Sequence, residues 1–255
     1  MTKRTHVQGG MLSSVVGFML LRYYGLLYSD MNLFTQWLIM YPFCLWGSTW
    51  LDLDHHIGSI PSKDYASKII HKLLHLGSPL IKQLDKSLTE KQKKESTQYK
   101  VLSIFNAKHR SWQTHSTWTI EILLFILYCL VNGKFVSLSA VEITCLSLIL
   151  TGVIIGSIEH LLLDILTPEG IWIMEFIVIN KVLKKKVFPE KLVLVPKFKS
   201  RKLRKRFNFS TGSEWEFWVQ RMLKLLTRLA IVVSLFVLVY PYIKSYIPFE
   251  FRRYL

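Results

Sequence analysis

Residues 152–170 read GVIIGSIEHLLLDILTPEG. The stretch is apolar and helical in character until Thr167-Pro168 stops the helix and Gly170 lets the chain turn. Near its end it carries Glu159, His160 and Asp164. His160 and Asp164 are four apart, so on a helix they share one face, one turn from each other. An imidazole and a carboxylate at that offset can grip one metal ion. Ionisable side chains are expensive at membrane depth, and by default they mark function.

The chain around this stretch decides the fold class. Of its 255 residues, 51% are hydrophobic, and several apolar segments approach the roughly 20 residues that a bilayer span needs. Spans are expected at about 11–28, 33–51, 118–131, 139–166 and 223–242. The expectation is an all-α membrane protein, a bundle of about five transmembrane helices forming a single integral domain over 1–255. The first span lacks a small-residue cleavage site and leads into the second, as a signal anchor does. The apolar run 171–179 is too short to cross and reads as interfacial or re-entrant. Arg22 falls inside the first span with no partner that the sequence can name.

The formal net charge is +16, concentrated in two polar blocks, 52–116 and 167–222. In a soluble protein this charge would point toward nucleic acid. Here the lysines and arginines flank apolar spans, which is the positive-inside pattern, and anionic lipid accounts for the charge. Both blocks are therefore placed in the cytoplasm as insertions, together with an N-terminus carrying Lys3 and Arg4. In the first block, Ile69, Ile70, Leu73, Leu74 and Leu76 lie among lysines. That pattern fits a helix on the membrane surface or a solvated helical hairpin, with 86–100 as an exposed tip. In the second block, Lys191 to Val195 and Phe207 to Ser210 are expected as a small β-hairpin, and Ser213 as an N-cap with Glu216 on the third position. Cys44, Cys129 and Cys145 sit in apolar spans without any CxxC and read as small buried hydrophobes.

This topology puts His6, Asp52, Asp54, His55, His109, His115, His160 and Asp164 at one membrane face, from four separate segments. The charge rule made no use of these residues. Mixed imidazoles and carboxylates suit Zn²⁺, Mn²⁺ or Fe²⁺, and so many ligands leave room for one to three ions sharing a carboxylate. Zinc is the first choice. Asp54, Arg110 and Glu159 are the catalytic candidates. Arg110 could hold a phosphate in bidentate fashion. Glu159 could act as base or orienter, or simply pack against another helix. Asp52 and Asp54 could instead cap a helix. His56, His71 and His75 are assigned to surface roles.

Taken together, several motifs resemble the YdjM-like family of membrane-bound metal-dependent hydrolases. They are Asp52-Leu53-Asp54-His55, His109-Arg110 with Thr114-His115-Ser116, His160-x-x-x-Asp164-x-x-Thr167-Pro168-x-Gly170, and Thr211-Gly212-Ser213-x-x-Glu216. Thr5-His6 also fits, whereas Leu51 stands where the family usually has proline. The resemblance implies a metal-dependent hydrolase of the bacterial cytoplasmic membrane, distantly like zinc-dependent phospholipase C. Its substrate would be a phosphoester such as a lipid phosphate. The alternative is a non-enzymatic membrane protein whose structural metal holds the spans. Its basic blocks would then recruit a protein partner, anionic lipid or, less favoured, nucleic acid. A transporter ranks third, because no inverted repeat or paired mid-depth charge is seen.

Overall fold

The computed structural model describes residues 3–54, 69, 78–104, 115–133, 138–167, 170–194 and 214–246. They form a mostly helical protein with one small antiparallel pair of strands. In order, these are α1 (Lys3–Tyr23), α2 (Leu33–Trp50), a 3-10 turn (Leu51–Asp54), α3 (Ser78–Ser87), α4 (Glu90–Glu95), α5 (Thr97–Ile104) and α6 (Thr117–Val131). After them come α7 (Ala140–Ile165), β1 (Ile171–Trp172), α8 (Met174–Val182), β2 (Lys191–Leu192) and α9 (Glu214–Tyr246).

Each of the five expected spans falls on one of the helices α1, α2, α6, α7 and α9. Among the described residues, α7 alone is long and apolar enough to cross a membrane by length and composition. Side-chain caps fix where helices start. Asn32 accepts from the Phe34 amide at 2.8 Å to open α2. Ser139 and Glu142 form a reciprocal capping box at the start of α7.

The helices α2 and α7 meet backbone to backbone. Gly47 lies against the Val153 carbonyl, Gly152 against Met40, and Gly156 against the Cys44 carbonyl and the Ser48 amide. A methyl group at any of these would strike main chain, so only glycine permits the approach. Trp50 Nε1 donates to Ser157 Oγ at 2.7 Å and fixes the register of the pair. Against this pair lies α1, and α9 packs on α1.

Beyond α7 the chain turns at Gly170, whose φ of +61° suits glycine. The expected strand at 191–195 forms over Lys191–Leu192, but its partner is β1, with Ile171 opposite Leu192 and Trp172 opposite Lys191. Phe207 to Ser210 lie outside the described residues. The pairing is local because the Gly170 turn delivers Ile171 directly beside the returning chain, where Leu194 N donates to Ile165 O at 3.0 Å. Of the apolar run 171–179, the first two residues are strand and the rest enters α8. The 86–100 tip is largely exposed, as expected, and helical. Of the Ile69–Leu76 row only Ile69 is described, and it is exposed.

Candidate metal centre

Close α2–α7 packing sets the first ligand. With Gly156 against α2, the Ser48 carbonyl lies 2.8 Å from His160 Nδ1. A carbonyl only accepts, so Nδ1 carries the proton and Nε2 presents its lone pair. Metal-binding histidines are commonly oriented by such a partner. One turn later comes Asp164. Its own carbonyl accepts from the Thr167 amide at 2.9 Å and the Thr167 hydroxyl at 2.8 Å, which closes the end of α7.

His115 arrives from the segment before α6. Its carbonyl accepts from Trp172 N at 2.9 Å, so β1 holds it in place. Asp52 arrives from the 3-10 turn after α2. Four atoms then converge. His115 Nε2 lies 3.2 Å from His160 Nε2 and 3.2 Å from Asp164 Oδ2, and His160 Nε2 lies 3.4 Å from that same oxygen. Asp52 Oδ1 is 3.7 Å from both imidazole Nε2 atoms. Tetrahedral zinc with bonds of about 2.0–2.1 Å spaces its ligands about 3.3 Å apart. Three of these spacings match within about 0.1 Å, and the two to Asp52 are longer by about 0.4 Å.

A fifth candidate, His6, stacks on His160 with ring centroids 3.9 Å apart and planes at 15°. Its Nε2 is 3.9 Å from Asp164 Oδ1. The two Asp164 oxygens thus face different imidazoles, Oδ2 toward His115 and His160 and Oδ1 toward His6. His6 is fully buried, and neither of its nitrogens has a hydrogen-bond partner among the described residues. Burying such a group is unfavourable unless something binds it. Two groupings result that could each hold an ion, His6–His160–Asp164 and Asp52–His115–His160. His160 belongs to both, so its single free nitrogen cannot serve two ions at once.

Electrostatics agree with a cation. Burial pushes the Asp52 carboxyl up, but His160, His115 and His6 outweigh it and hold the group well below the usual carboxylate range. For His6, burial and then His160 hold the imidazole well below its ordinary value, in the neutral form that can ligate. His115, His160, His6 and Asp164 are shut off from solvent, while the Asp52 side chain is 21% exposed. Solvent therefore reaches the centre on the Asp52 side.

Glu159 stands apart from both groupings. Its carboxylate lies in the space where a Gly9 side chain would otherwise go, and it has no hydrogen-bond partner among the described residues. Beside His6, Thr5 Oγ1 donates to Glu216 Oε1 at 2.5 Å and accepts from Gln220 Nε2 at 2.9 Å, tying α1 to α9. His55, His109, Arg110 and the Asp54 side chain lie outside the described residues, as do His56, His71 and His75.

The Ser48 carbonyl, the α2–α7 glycines and the Thr5–Glu216 bond went unread in the sequence as supports of the site. For the glycines a signal was present: Gly152-x-x-x-Gly156 is a spacing that lets helices approach closely. No family model, curated protein or solved structure matches the chain.

Proposed function

We propose that the protein is a membrane-bound, metal-dependent hydrolase that works at the cytoplasmic face on a phosphoester such as a lipid phosphate. The observation that carries it is the asymmetry of the ligand cluster. His115, His160 and Asp164 form a tight buried triangle, and the fourth corner, toward Asp52, is looser and reached by solvent. Three protein ligands with one accessible position is the pattern of catalytic zinc, whereas structural zinc is closed by four. A divalent cation held by these residues would supply Lewis acidity and lower the pKa of water at neutral pH.

The chain's own residues then have distinct tasks. His160, fixed through Ser48, and Asp164 orient the site. Glu159, at the neighbouring position on α7, is the candidate general base or orienter. Arg110 is the phosphate-holding group. The five long helices cross the bilayer with both basic blocks on the cytoplasmic side. Exposed apolar side chains on all five, including Val16, Phe34, Phe125, Leu162 and Phe236, support this placement, since lipid removes the penalty of leaving them uncovered. The YdjM-like motif set supports the hydrolase assignment.

One observation favours a second role. All five spacings, Asp52 included, lie within about 0.4 Å of the tetrahedral value. If Asp52 closes the shell, the ion is a structural staple. Purified protein should contain zinc or a similar ion and hydrolyse a lipid phosphoester. Asp164→Ala should abolish both properties, and Glu159→Gln should keep the metal and lose turnover. Metal without hydrolysis on any lipid phosphate would favour the staple, and absence of metal at every stage of purification would defeat both.

A further inference from the structure

We infer that the cleft between α1 and α9 is a binding site for one anionic phospholipid, whose phosphate is held by Arg22 and whose acyl chains fill the cleft. This rests on the membrane placement proposed above, and not on the hydrolase chemistry.

The cleft holds about 970 Å³, near the top of the range for small-molecule sites. Its walls are almost wholly apolar, with Leu12, Val15 and Met19 on α1 facing Leu229 and Val233 on α9. It starts one or two turns beyond the Thr5–Glu216–Gln220 bonds, which draw the two helices together at the cytoplasmic end. From there it runs to Arg22 and Tyr23. At 1.5 Å per residue, Leu12 to Tyr23 spans about 16 Å, and one leaflet of a bilayer offers about 15 Å of hydrocarbon. The cleft therefore has the depth of a lipid's chains.

Arg22 decides which lipid. It is half-buried, its Nη1 is shut off from solvent, and that nitrogen has no hydrogen-bond partner among the described residues. A guanidinium held this way needs acceptors, and a phosphate offers them in matching geometry. Tyr23 and Tyr24, next in the chain, are exposed as belt aromatics are at a membrane interface. By topology this is the outer leaflet, sixteen residues and about 24 Å along α1 from His6. The lipid is therefore a resident of the helix pair and not the substrate of the metal centre. Neutral phospholipids carry the same phosphate with a cation attached, so selection for net negative charge is the distinguishing feature.

The full chain would be purified from membranes, confirmed there by resistance to alkaline extraction. It would then be reconstituted in nanodiscs of equal phosphatidylglycerol and phosphatidylcholine. Lipid retained after re-extraction into mild detergent is counted by mass spectrometry. The native chain should keep phosphatidylglycerol over phosphatidylcholine by about fivefold. Arg22→Gln should bring the ratio to one, and Arg22→Lys should largely keep the preference. Ala230→Phe, which fills the cleft from the α9 wall and leaves the Arg22 charge in place, should lower retention of both lipids. Equal retention of the two lipids by the native chain, or a preference that survives Arg22→Gln, overturns the inference and leaves the membrane placement standing. Release of the protein by alkali overturns both.

Discussion

Replacing Gly156 by alanine should disable the metal centre from a distance, although residue 156 touches no ligand. In an isolated helix the change would stabilise by about 0.5–1 kcal/mol, since glycine is the poorer helix former. Here the new methyl group strikes the Cys44 carbonyl oxygen first, then the Ser48 amide at 2.6 Å and the Gly47 carbonyl carbon at 2.9 Å, all rigid main chain. Ordinary contact begins at 3.4 Å, so clearing the Cys44 carbonyl requires α2 to retreat by about 1.4 Å. The Ser48 carbonyl travels with it, and its 2.8 Å bond to His160 Nδ1 stretches to about 4.2 Å, which is no longer a hydrogen bond. His160 then loses its fixed tautomer and ring orientation. Loss of such an orienting partner lowers metal affinity by about 10–100-fold. Overpacking adds about 1–3 kcal/mol of destabilisation, which exceeds the gain in helix propensity. Zinc affinity by competition with a chromophoric chelator, together with a thermal melt, reads both effects. Leu162→Ala, on the exposed side of the same helix, is the control for a one-residue change. If Gly156→Ala binds zinc as tightly as the native protein, the link from helix packing to ligand orientation is wrong.

Acid should act on the metal-free protein in two stages. His6 is held low in the folded state, so the unfolded chain takes up a proton that the folded chain refuses, and stability falls as pH drops below about 6.5. Asp52 is also held low, so its contribution is present above about pH 4 and is lost below it. Melting curves from pH 8 to pH 3 that rise instead of falling would refute this sign. Chelation at neutral pH should lower the melting temperature, by the equivalent of about 4 kcal/mol if the ion was present at a thousand times its Kd. An unchanged melt after the ion has been stripped would mean that folding does not depend on it. Thr5→Val removes one donor from the buried Glu216 and should destabilise by about 1–3 kcal/mol, with Thr5→Ser close to native. A Thr5→Val chain that melts like the native one would show that α9 is held to α1 by other contacts.

Much of the fold could be read from apolar runs and turn residues. The five long helices are marked by composition, and Gly170 marks the turn after α7. His160 and Asp164 were legible because helical spacing is local. Their meeting with His6, Asp52 and His115 was legible only through topology, which carries each segment to a common face without giving distances. What escaped was main-chain chemistry. The Ser48 carbonyl has no residue-type signature, since every residue has one. The β1–β2 pairing escaped because two-residue strands have no period to detect, and Lys191–Leu192 pairs with whatever the Gly170 turn brings alongside.

The position of His160 and Asp164 at the end of α7, and not its start, has a consequence for order of events. The aligned peptide dipoles of a helix place roughly half a negative charge at its last turn. Asp52, held ionised, adds to it. A phosphate approaching this site would therefore meet a repelling field until a cation neutralised it. On the proposed function, loading should be sequential, with the ion ahead of an anionic substrate, and apparent affinity for a phosphate analogue should vanish when the ion is withheld.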